Sequence, residues 1–258
     1  MLPASPAWAD PPAVPDLPAD EVHVWRAPLD LPGDAVRRLL RLLSDDERER
    51  AARFHHERDR LGYIAAHGAL RLILGRYLRV DGAALRFRTG AHGKPSLDGL
   101  ESGALTFNLS HSHRLALIAV ARGRAVGVDV EWMRTDLADM RVAEQFFSAR
   151  EVSVLRSLPE RDRVQGFFNC WTRKESYIKA RGEGLSMPLH EFDVTLAPGE
   201  PACLLATRAD PPDAARWQLA ALEPGEGYAA AVAAEGQGWR LRCFNAPAQL
   251  LADQEELV

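Results

Sequence analysis

The run Gly-Val-Asp-Val-Glu places two carboxylates, Asp129 and Glu131, at alternate positions among valines. Residues two apart on a strand share a face, so both carboxylates would point one way while the valines point into a core. Two carboxylates on one face repel each other unless water or a cation compensates them, and hard oxygen ligands suit Mg²⁺ or Mn²⁺. Taken alone, the motif is explained more simply by a solvated acidic strand face.

A second stretch is a predicted helix whose apolar stripe is interrupted by a glutamate. Helical periodicity places Phe167, Trp171 and Ile178 on one face, with Glu175 between the last two. A carboxylate facing a core needs a cation or a metal ion beside it. Lys179 follows Glu175 by about one helical turn and can reach the same place. The alternative is an exposed Glu–Lys pair, which is common on helices.

Two polar turns could bind an anion. A predicted strand ends in Ser110-His111-Ser112-His113, whose hydroxyl and imidazole donors suit a phosphate. The chain has no Gly-x-Ser-x-Gly elbow for a hydrolase nucleophile, and no further histidine or cysteine lies at a zinc-like spacing. The turn Gly93-Lys94-Pro95 would expose its ammonium group to an anion. Each sequence is also compatible with an ordinary turn.

Lysine is scarce in this chain. Of its 32 basic side chains only Lys94, Lys174 and Lys179 are lysines, and the rest are arginines. A coding bias toward arginine explains this split, and so does a local need for a compact ammonium group rather than a planar guanidinium. All three lysines lie in the stretches that could do chemistry or directly beside them.

The surrounding pattern predicts strands and helices in an α+β fold with two similar halves, each a small antiparallel sheet packed against helices. Ser44 and Glu47 form a predicted capping box at the start of one helix. We expect helices over 33–43, 44–54, 58–79, 140–158 and 159–181, and strands over 21–26, 85–88, 104–109, 115–121, 125–132, 192–196, 217–222, 228–234 and 239–244. The strands 115–121 and 125–132 are expected to form a hairpin across Arg122-Gly123-Arg124.

The predicted organisation is a flexible Pro/Ala-rich leader over 1–20, halves over 21–124 and 125–245, and a C-terminal tail over 246–258. A formal net charge of −4 argues against broad affinity for nucleic acid. Three widely spaced cysteines favour a reducing, cytoplasmic setting. No apolar run approaches the length of a membrane span, and no signal peptide is evident.

The order of these blocks resembles the 4′-phosphopantetheinyl transferases. The chain is similar to their large, surfactin-synthetase-activating (Sfp-type) group over roughly residues 20–245. The resemblance rests on His-Gly-Lys-Pro, Phe-Asn-Leu-Ser-His-Ser, Gly-Val-Asp-Val-Glu, and Trp-Thr-Arg-Lys-Glu-Ser-Tyr-Ile-Lys followed by Gly182-Glu-Gly-Leu-Ser-Met-Pro188. Two departures are Glu47, where some relatives have lysine, and His113, where some have glycine.

The resemblance implies an active site in the cleft between the halves and a role for each matched residue. Asp129, Glu131 and Glu175 match the magnesium ligands, and Glu175 and Lys179 are the expected catalytic residues. The residues expected to bind coenzyme A, directly or through the metal, are Arg53, Lys94, Pro95, Ser110, His111, Asp129, Lys174 and Lys179. The implied enzyme is a cytoplasmic monomer that moves phosphopantetheine from coenzyme A to a serine of an apo acyl or peptidyl carrier protein.

Two other functions fit the residues less well. A Mg²⁺-dependent phosphodiesterase or nuclease could use the same carboxylates and Lys179 to activate water. The acidic charge balance counts against a nucleic-acid substrate. A non-catalytic module that binds a carrier protein would have no chemical need for the full set of carboxylates and lysines.

Overall fold

The computed structural model describes residues 7–90, 92–99, 104–184 and 187–246. Residues 1–6 of the expected leader and 247–258 of the expected tail lie outside this range. The helices are α1 Gly33–Leu42, α2 Asp45–Ala52, α3 Glu57–Leu78, α4 Met140–Phe146, α5 Ala149–Ser157 and α6 Glu160–Arg181. The strands are β1 Trp8–Ala9, β2 Glu21–Pro28, β3 Phe87–Thr89, β4 Pro95–Leu97, β5 Thr106–Ser112, β6 Leu115–Ala121, β7 Val126–Trp132, β8 Phe192–Val194, β9 Leu204–Thr207, β10 Trp217–Leu222, β11 Tyr228–Glu235 and β12 Arg240–Asn245.

Two larger sheets organise the molecule. The first has the order β1-β12-β2-β6-β5, in which β12 runs parallel to both β1 and β2 and the other pairs are antiparallel. The second has the order β10-β11-β7 and is antiparallel throughout. Two small antiparallel sheets, β3–β4 and β8–β9, flank them.

The two larger sheets pack face to face, and helices cover their outer faces. Alternation along β6 and β7 sends one set of side chains, including Leu117, Val128 and Val130, into the core between the sheets. The other face of the first sheet packs on α1 and α3. The other face of the second sheet packs on α6. The expectation that Val128 and Val130 point into a core is confirmed, and Asp129 and Glu131 therefore face the α6 side.

The predicted α+β class, with sheets packed against helices, is confirmed. The hairpin predicted across Arg122-Gly123-Arg124 is wrong: β6 pairs with β2 and β5, while β7 pairs with β11 in the other sheet. The helix predicted over 140–158 is two helices, because Ser148 and Glu151 form a capping box that starts α5. The first sheet is mixed rather than antiparallel, because β12 returns from the C-terminal part of the chain to lie beside β2.

The expected leader contributes contacts to the fold within its described part. Trp8–Ala9 pairs with β12, and Leu17 is buried. No helix within the described ranges is long and apolar enough to cross a membrane.

Candidate active site

A ladder of side-chain hydrogen bonds joins the edge of the first sheet to the edge of the second. The amide of Val128 donates to Asn108 Oδ1 at 2.8 Å. Two residues further along each strand, the amide of Val130 approaches Ser110 Oγ at 3.4 Å. After two more residues the amide of Trp132 donates to Ser112 Oγ at 3.0 Å. We call these three polar side chains of β5 and three amides of β7 the seam. The seam sets the register of the two sheets at the site.

The same serines hold the carboxylates of β7. Ser110 Oγ donates to Asp129 Oδ1 at 2.8 Å, and Ser112 Oγ donates to Glu131 Oε2 at 2.9 Å. Each serine therefore accepts an amide of β7 and donates to the carboxylate one residue before it. The polar residues of β5 and the residues of β7, which lie 20 residues apart in sequence, therefore contact each other in successive pairs.

Helix α6 lies close to β7 because β7 carries a glycine at the crossing. A Cβ atom at Gly127 would lie 2.2 Å from the carbonyl oxygen of Ser176 and 2.3 Å from the amide nitrogen of Ala180. This backbone contact brings Lys179 over the strand, where its Nζ lies 2.6 Å from Asp129 Oδ1 and 3.0 Å from Ser110 Oγ. Asp129 is 2 % exposed, so this ion pair forms at the buried base of the site.

The three carboxyl groups interact electrostatically. Burial and the neighbouring charge of Asp129 raise the pKa of Glu131 to about 7. Burial and Asp129 also raise the pKa of Glu175, and Lys179 opposes that rise. Asp129 Oδ2 is buried and has no hydrogen-bond partner within the described chain. One lysine therefore faces three carboxyl groups, and its charge does not offset the burial and mutual repulsion that raise the pKa of two of them.

The carboxylates do not form a closed ligand set as they stand. No three Asp, Glu, His or Cys side chains in the described ranges lie close enough together to hold one ion. The donor chemistry nevertheless fits a divalent cation, because the orphaned oxygen of Asp129 and two carboxyl groups with raised pKa would all be stabilised by one.

Lys94 crosses from the first half of the chain to the second. Its Nζ donates to the carbonyl oxygens of Val126 at 3.0 Å and Ala180 at 2.8 Å. Burial lowers the pKa of Lys94 to about 8. A cleft of about 260 Å³ opens beside it. The cleft is lined by His92, Lys94, Pro95, Asn108, Glu175 and Lys179, among others.

Comparison with known proteins assigns this arrangement to a family. A family model described as "4′-phosphopantetheinyl transferase superfamily" matches residues 125–233, and one described as "4′-phosphopantetheinyl transferase, N-terminal" matches residues 33–122. The chain is 42 % identical over 239 residues to the 4′-phosphopantetheinyl transferase HetI of Nostoc sp., covering 92 % of this chain and 98 % of the relative. The chain belongs to the 4′-phosphopantetheinyl transferase superfamily.

Other transferases of the superfamily match over shorter regions. The 4′-phosphopantetheinyl transferase Sfp of Bacillus subtilis is 33 % identical over 159 residues, 62 % of this chain and 69 % of the relative. A putative 4′-phosphopantetheinyl transferase of Synechocystis sp. is 31 % identical over 197 residues, 76 % of this chain and 78 % of the relative. Transferases of this superfamily use coenzyme A and typically a divalent metal ion.

The transferase fold brings most of the expected site residues together, but Lys174 lies apart. Its ammonium group is fully buried, 2.8 Å from Glu151 Oε2, and it donates to the carbonyl oxygens of Leu189 and Phe192 at 2.7 and 2.6 Å. All three donors of the ammonium are therefore used inside the protein. Lys174 thus ties α6 to α5 and β8, on a different side of the helix from Glu175.

Two further residues expected to bind coenzyme A lie at the surface of the transferase. Arg53 ends α2, and its side chain is 77 % exposed, with a guanidinium nitrogen 3.6 Å from Glu49. His111, on β5 next to Ser110, is also open to solvent over part of its surface. The protein around the rest of the ring desolvates it, and this desolvation and the nearby charges of His67 and Lys179 lower the pKa of His111.

Glu47, which departs from the pattern of some relatives, has a structural role here. Its carboxylate caps α2 through the Ser44 amide at 2.8 Å and accepts from Arg71 Nε at 2.7 Å. Burial alone would raise the pKa of Glu47, but contacts with His67, Ser44 and Arg71 outweigh it and lower the pKa to about 2.

Sequence patterns did not identify Asn108, Gly127 or Glu151 as individually important, and they identified Ser112 only as one donor of a phosphate-binding turn. The contacts of Asn108 and Ser112 with β7 depend on β5 and β7 being neighbours. Glu151 had a readable signal, since Ser148 and Glu151 show the same Ser-x-x-Glu spacing as Ser44 and Glu47. Residues 185 and 186 of the glycine-rich block after α6 lie outside the described residues.

Proposed function

We propose that this transferase moves the 4′-phosphopantetheine group of coenzyme A to a serine hydroxyl of an apo acyl or peptidyl carrier protein and releases adenosine 3′,5′-bisphosphate. The observation that carries the proposal is the cluster of Asp129, Lys179 and Ser110 beside a cleft that is also lined by Lys94 and Glu175. Relatives named as 4′-phosphopantetheinyl transferases match most of the chain and support the same reaction.

Asp129, Glu131 and Glu175 would hold the divalent cation, which we propose to be Mg²⁺, with Mn²⁺ as a substitute. The orphaned Oδ2 of Asp129 supports this assignment, because a buried carboxylate oxygen without a donor is costly unless a cation occupies the place. When bound, such an ion neutralises the pyrophosphate charge of coenzyme A and favours attack at phosphorus.

The proposed reaction is a single displacement, in which the attacking group is the carrier serine rather than a side chain of the transferase. The carrier serine oxygen forms a bond to the β-phosphorus of coenzyme A, and the bond from that phosphorus to the oxygen bridging to the α-phosphate breaks. Glu175 accepts the serine proton, since its carboxyl group lines the cleft beside Lys179. Lys179 compensates the negative charge that develops on the departing bisphosphate.

Lys94, Pro95, Ser110 and His111 complete the proposed contacts with coenzyme A. Lys94 supports the cleft wall through two backbone carbonyls and places an ammonium beside it. Arg53 is the proposed cation for the 3′-phosphate, since it is exposed at the end of α2 while Glu47 is engaged with Arg71. The ammonium of Lys174 is committed to Glu151, and we assign it to support of α6.

The proposal includes a monomer that works in the cytoplasm and does not bind nucleic acid. The carrier proteins that it serves would belong to fatty-acid, polyketide, nonribosomal-peptide or siderophore synthesis. A panel of apo carrier proteins from these systems, each offered with coenzyme A and Mg²⁺, identifies the preferred acceptor.

Intact-protein mass spectrometry tests the reaction. Incubation with coenzyme A, Mg²⁺ and an apo carrier should add one phosphopantetheine to the carrier serine. Glu175→Gln should abolish the adduct, whereas Glu160→Gln, an exposed glutamate at the start of the same helix, should not. Cleavage of coenzyme A or DNA by water without an adduct would establish a phosphodiesterase or nuclease instead. Carrier binding without any turnover would establish a non-catalytic module.

A further inference from the structure

A partly exposed aromatic group lies at the end of the seam, next to Glu131. The ring of His113 stacks on that of Trp132 with centroids 4.8 Å apart and an interplanar angle of 23°. Trp132 in turn meets Tyr228 edge to face, again at 4.8 Å. We call these three residues the aromatic clip. They come from three places in the chain: the turn between β5 and β6, the end of β7 and the start of β11.

The backbone around the clip is constrained on both sides. His113 has φ of 55°, a left-handed conformation that is unusual for a residue with a side chain, and the next amide, of Arg114, donates to the Tyr228 hydroxyl at 3.2 Å. On the opposite side, Gly227 has φ of 79°, and a Cβ there would lie 2.4 Å from the Trp132 ring. The β5–β6 turn is therefore tied to the second sheet by ring contacts and by a hydrogen bond from its backbone to the Tyr228 side chain.

The clip is connected to Glu131 through Ser112. The amide of Trp132 donates to Ser112 Oγ at 3.0 Å, and that hydroxyl donates to Glu131 Oε2 at 2.9 Å. Ser112 immediately precedes His113, and Trp132 immediately follows Glu131. Any movement of the turn away from the end of β7 would therefore pull the serine hydroxyl away from the carboxylate.

We propose that the aromatic clip positions Glu131 for the divalent cation by holding Ser112 against the end of β7. His113, Trp132 and Tyr228 are thus positioning residues, which act on the carboxylate through Ser112. The inference rests on the proposed function, in which Glu131 is a metal ligand. Partners that orient a metal ligand from outside typically contribute about 10–100-fold to metal affinity.

Mn²⁺ binding in the presence of coenzyme A, followed by the electron paramagnetic resonance signal of free Mn²⁺, tests the proposal. Ser112→Ala should weaken Mn²⁺ binding by about tenfold. His113→Gly should weaken it by about threefold, because the His113 ring acts on Glu131 only through Ser112. Arg79→Gly is the matched control, because Arg79 also has φ of 55° but lies in the exposed turn that ends α3. This control relieves the same backbone strain and should leave the affinity for Mn²⁺ unchanged.

The decisive measurement repeats the Ser112 and His113 substitutions in a Glu131→Gln background. There neither Ser112→Ala nor His113→Gly should weaken Mn²⁺ binding further, because the group that they position is gone. An equal loss in both backgrounds would show a general structural effect and overturn the proposal. Unchanged affinity in the single variants, or in Glu131→Gln alone, would overturn it as well.

Carrier modification by the unmodified enzyme distinguishes failure of the clip proposal from failure of the proposed function. If the enzyme modifies a carrier while the clip variants keep their affinity for Mn²⁺, the clip proposal fails and the proposed function stands. If the unmodified enzyme neither binds Mn²⁺ with coenzyme A nor modifies any carrier, both fail.

Discussion

The three ammonium groups of the chain lie in three different environments, and each contacts at least two oxygen acceptors. Lys94 contacts two carbonyls, Lys174 a carboxylate and two carbonyls, and Lys179 a carboxylate and a hydroxyl. An ammonium group carries its three donors on one nitrogen, whereas a guanidinium spreads its donors over a plane. The compact acceptor sets around the three lysines suit an ammonium group.

Lys179→Arg should impair transfer while the protein stays folded. The longer, planar head group cannot keep both the 2.6 Å contact to Asp129 and the 3.0 Å contact to Ser110, so the positive charge moves relative to the phosphates. We expect kcat/KM for carrier modification to fall by about tenfold or more, which corresponds to ~1.4 kcal/mol. Arg161→Lys, on the exposed surface of the same helix, should have no effect. Unimpaired turnover of Lys179→Arg would leave coding bias as the explanation at this position.

Glu47 gives a prediction for acid stability. Its pKa of about 2 lies below the ordinary value of 4.5, so the folded state favours the charged form. The resulting stabilisation is complete above pH 4.5 and disappears as the pH falls toward 2. Glu47→Gln keeps the capping pattern but removes the charge, and should lower the free energy of unfolding at pH 7 by about 3 kcal/mol at most.

Urea unfolding between pH 2 and 7 measures this difference. The gap between the unmodified protein and Glu47→Gln should close as the pH falls from 4.5 toward 2. Glu49→Gln is the control, because that side chain is 69 % exposed on the same helix. A gap that stays constant with pH would show that the Glu47 charge does not stabilise the fold.

At the scale of elements, local patterns predicted most strands and helices but not which strands are neighbours. Alternation marked β6 and β10 at their observed bounds, and Ser44 marked the start of α2. The pairing of β7 with β11 and the return of β12 to β2 depend on contacts between residues that are about 100 or more apart in sequence, as in the pairs Asp129 with Ala231 and Val24 with Cys243. The sequence predicted the residue types of the site. It did not predict the seam, because those hydrogen bonds form only where β5 and β7 are adjacent.

Lys174 shows the same limit on a helix. The family resemblance implies that it binds coenzyme A, because it lies in the same motif as Glu175. Successive helical residues point about 100° apart, so neighbours in sequence face different surroundings. Which of the two faces the cleft is decided by the packing of α6 on β7, and that packing depends on Gly127.

Gly127→Ala should separate α6 from β7. The added methyl would overlap the backbone of Ser176 and Ala180, which cannot move as a flexible side chain could. We expect the free energy of unfolding to fall by about 3 kcal/mol or more, together with loss of carrier modification. Gly62→Ala in α3 is the matched control, since no atom lies within 4 Å of its Cβ position.

The control substitution should raise the free energy of unfolding rather than lower it. Alanine at position 62 has a better helix propensity than glycine and should stabilise the protein by roughly 1 kcal/mol. Urea unfolding of both variants gives the comparison. If Gly127→Ala unfolds like the unmodified protein and still modifies a carrier, close packing of α6 on β7 is not what positions Lys179.

At the scale of the whole molecule, the two sheets share one buried face and one polar edge. The shared face joins valines, leucines and alanines of both sheets into a single apolar cluster. The polar edge is the seam, where β5 supplies side-chain acceptors in place of backbone carbonyls. The carboxylates, Lys179 and the cleft all lie along this edge, so the joint between the sheets is also the chemical site.

Asn108 is the most deeply buried side chain of the seam, and its substitution tests whether the seam holds the two sheets together. It is buried, and its Oδ1 accepts the Val128 amide at 2.8 Å. Asn108→Ala leaves that amide without an acceptor, which should cost about 1–3 kcal/mol of unfolding free energy. Because Asn108 also lines the cleft, affinity for coenzyme A should fall as well.

Native-state hydrogen exchange locates the effect of this substitution. In Asn108→Ala, the amides of Val128 and Val130 should exchange faster, by more than the loss of global stability explains, because the edge of the second sheet opens. Asn169→Ala is the matched control: it removes an amide that donates to the Leu196 carbonyl at 3.0 Å within the C-terminal part of the chain. In this control, the exchange rates of the β7 amides should change only as much as the change in global stability explains. Equal β7 protection in both variants would mean that apolar packing alone holds the sheets together, and that the polar edge only serves the chemistry.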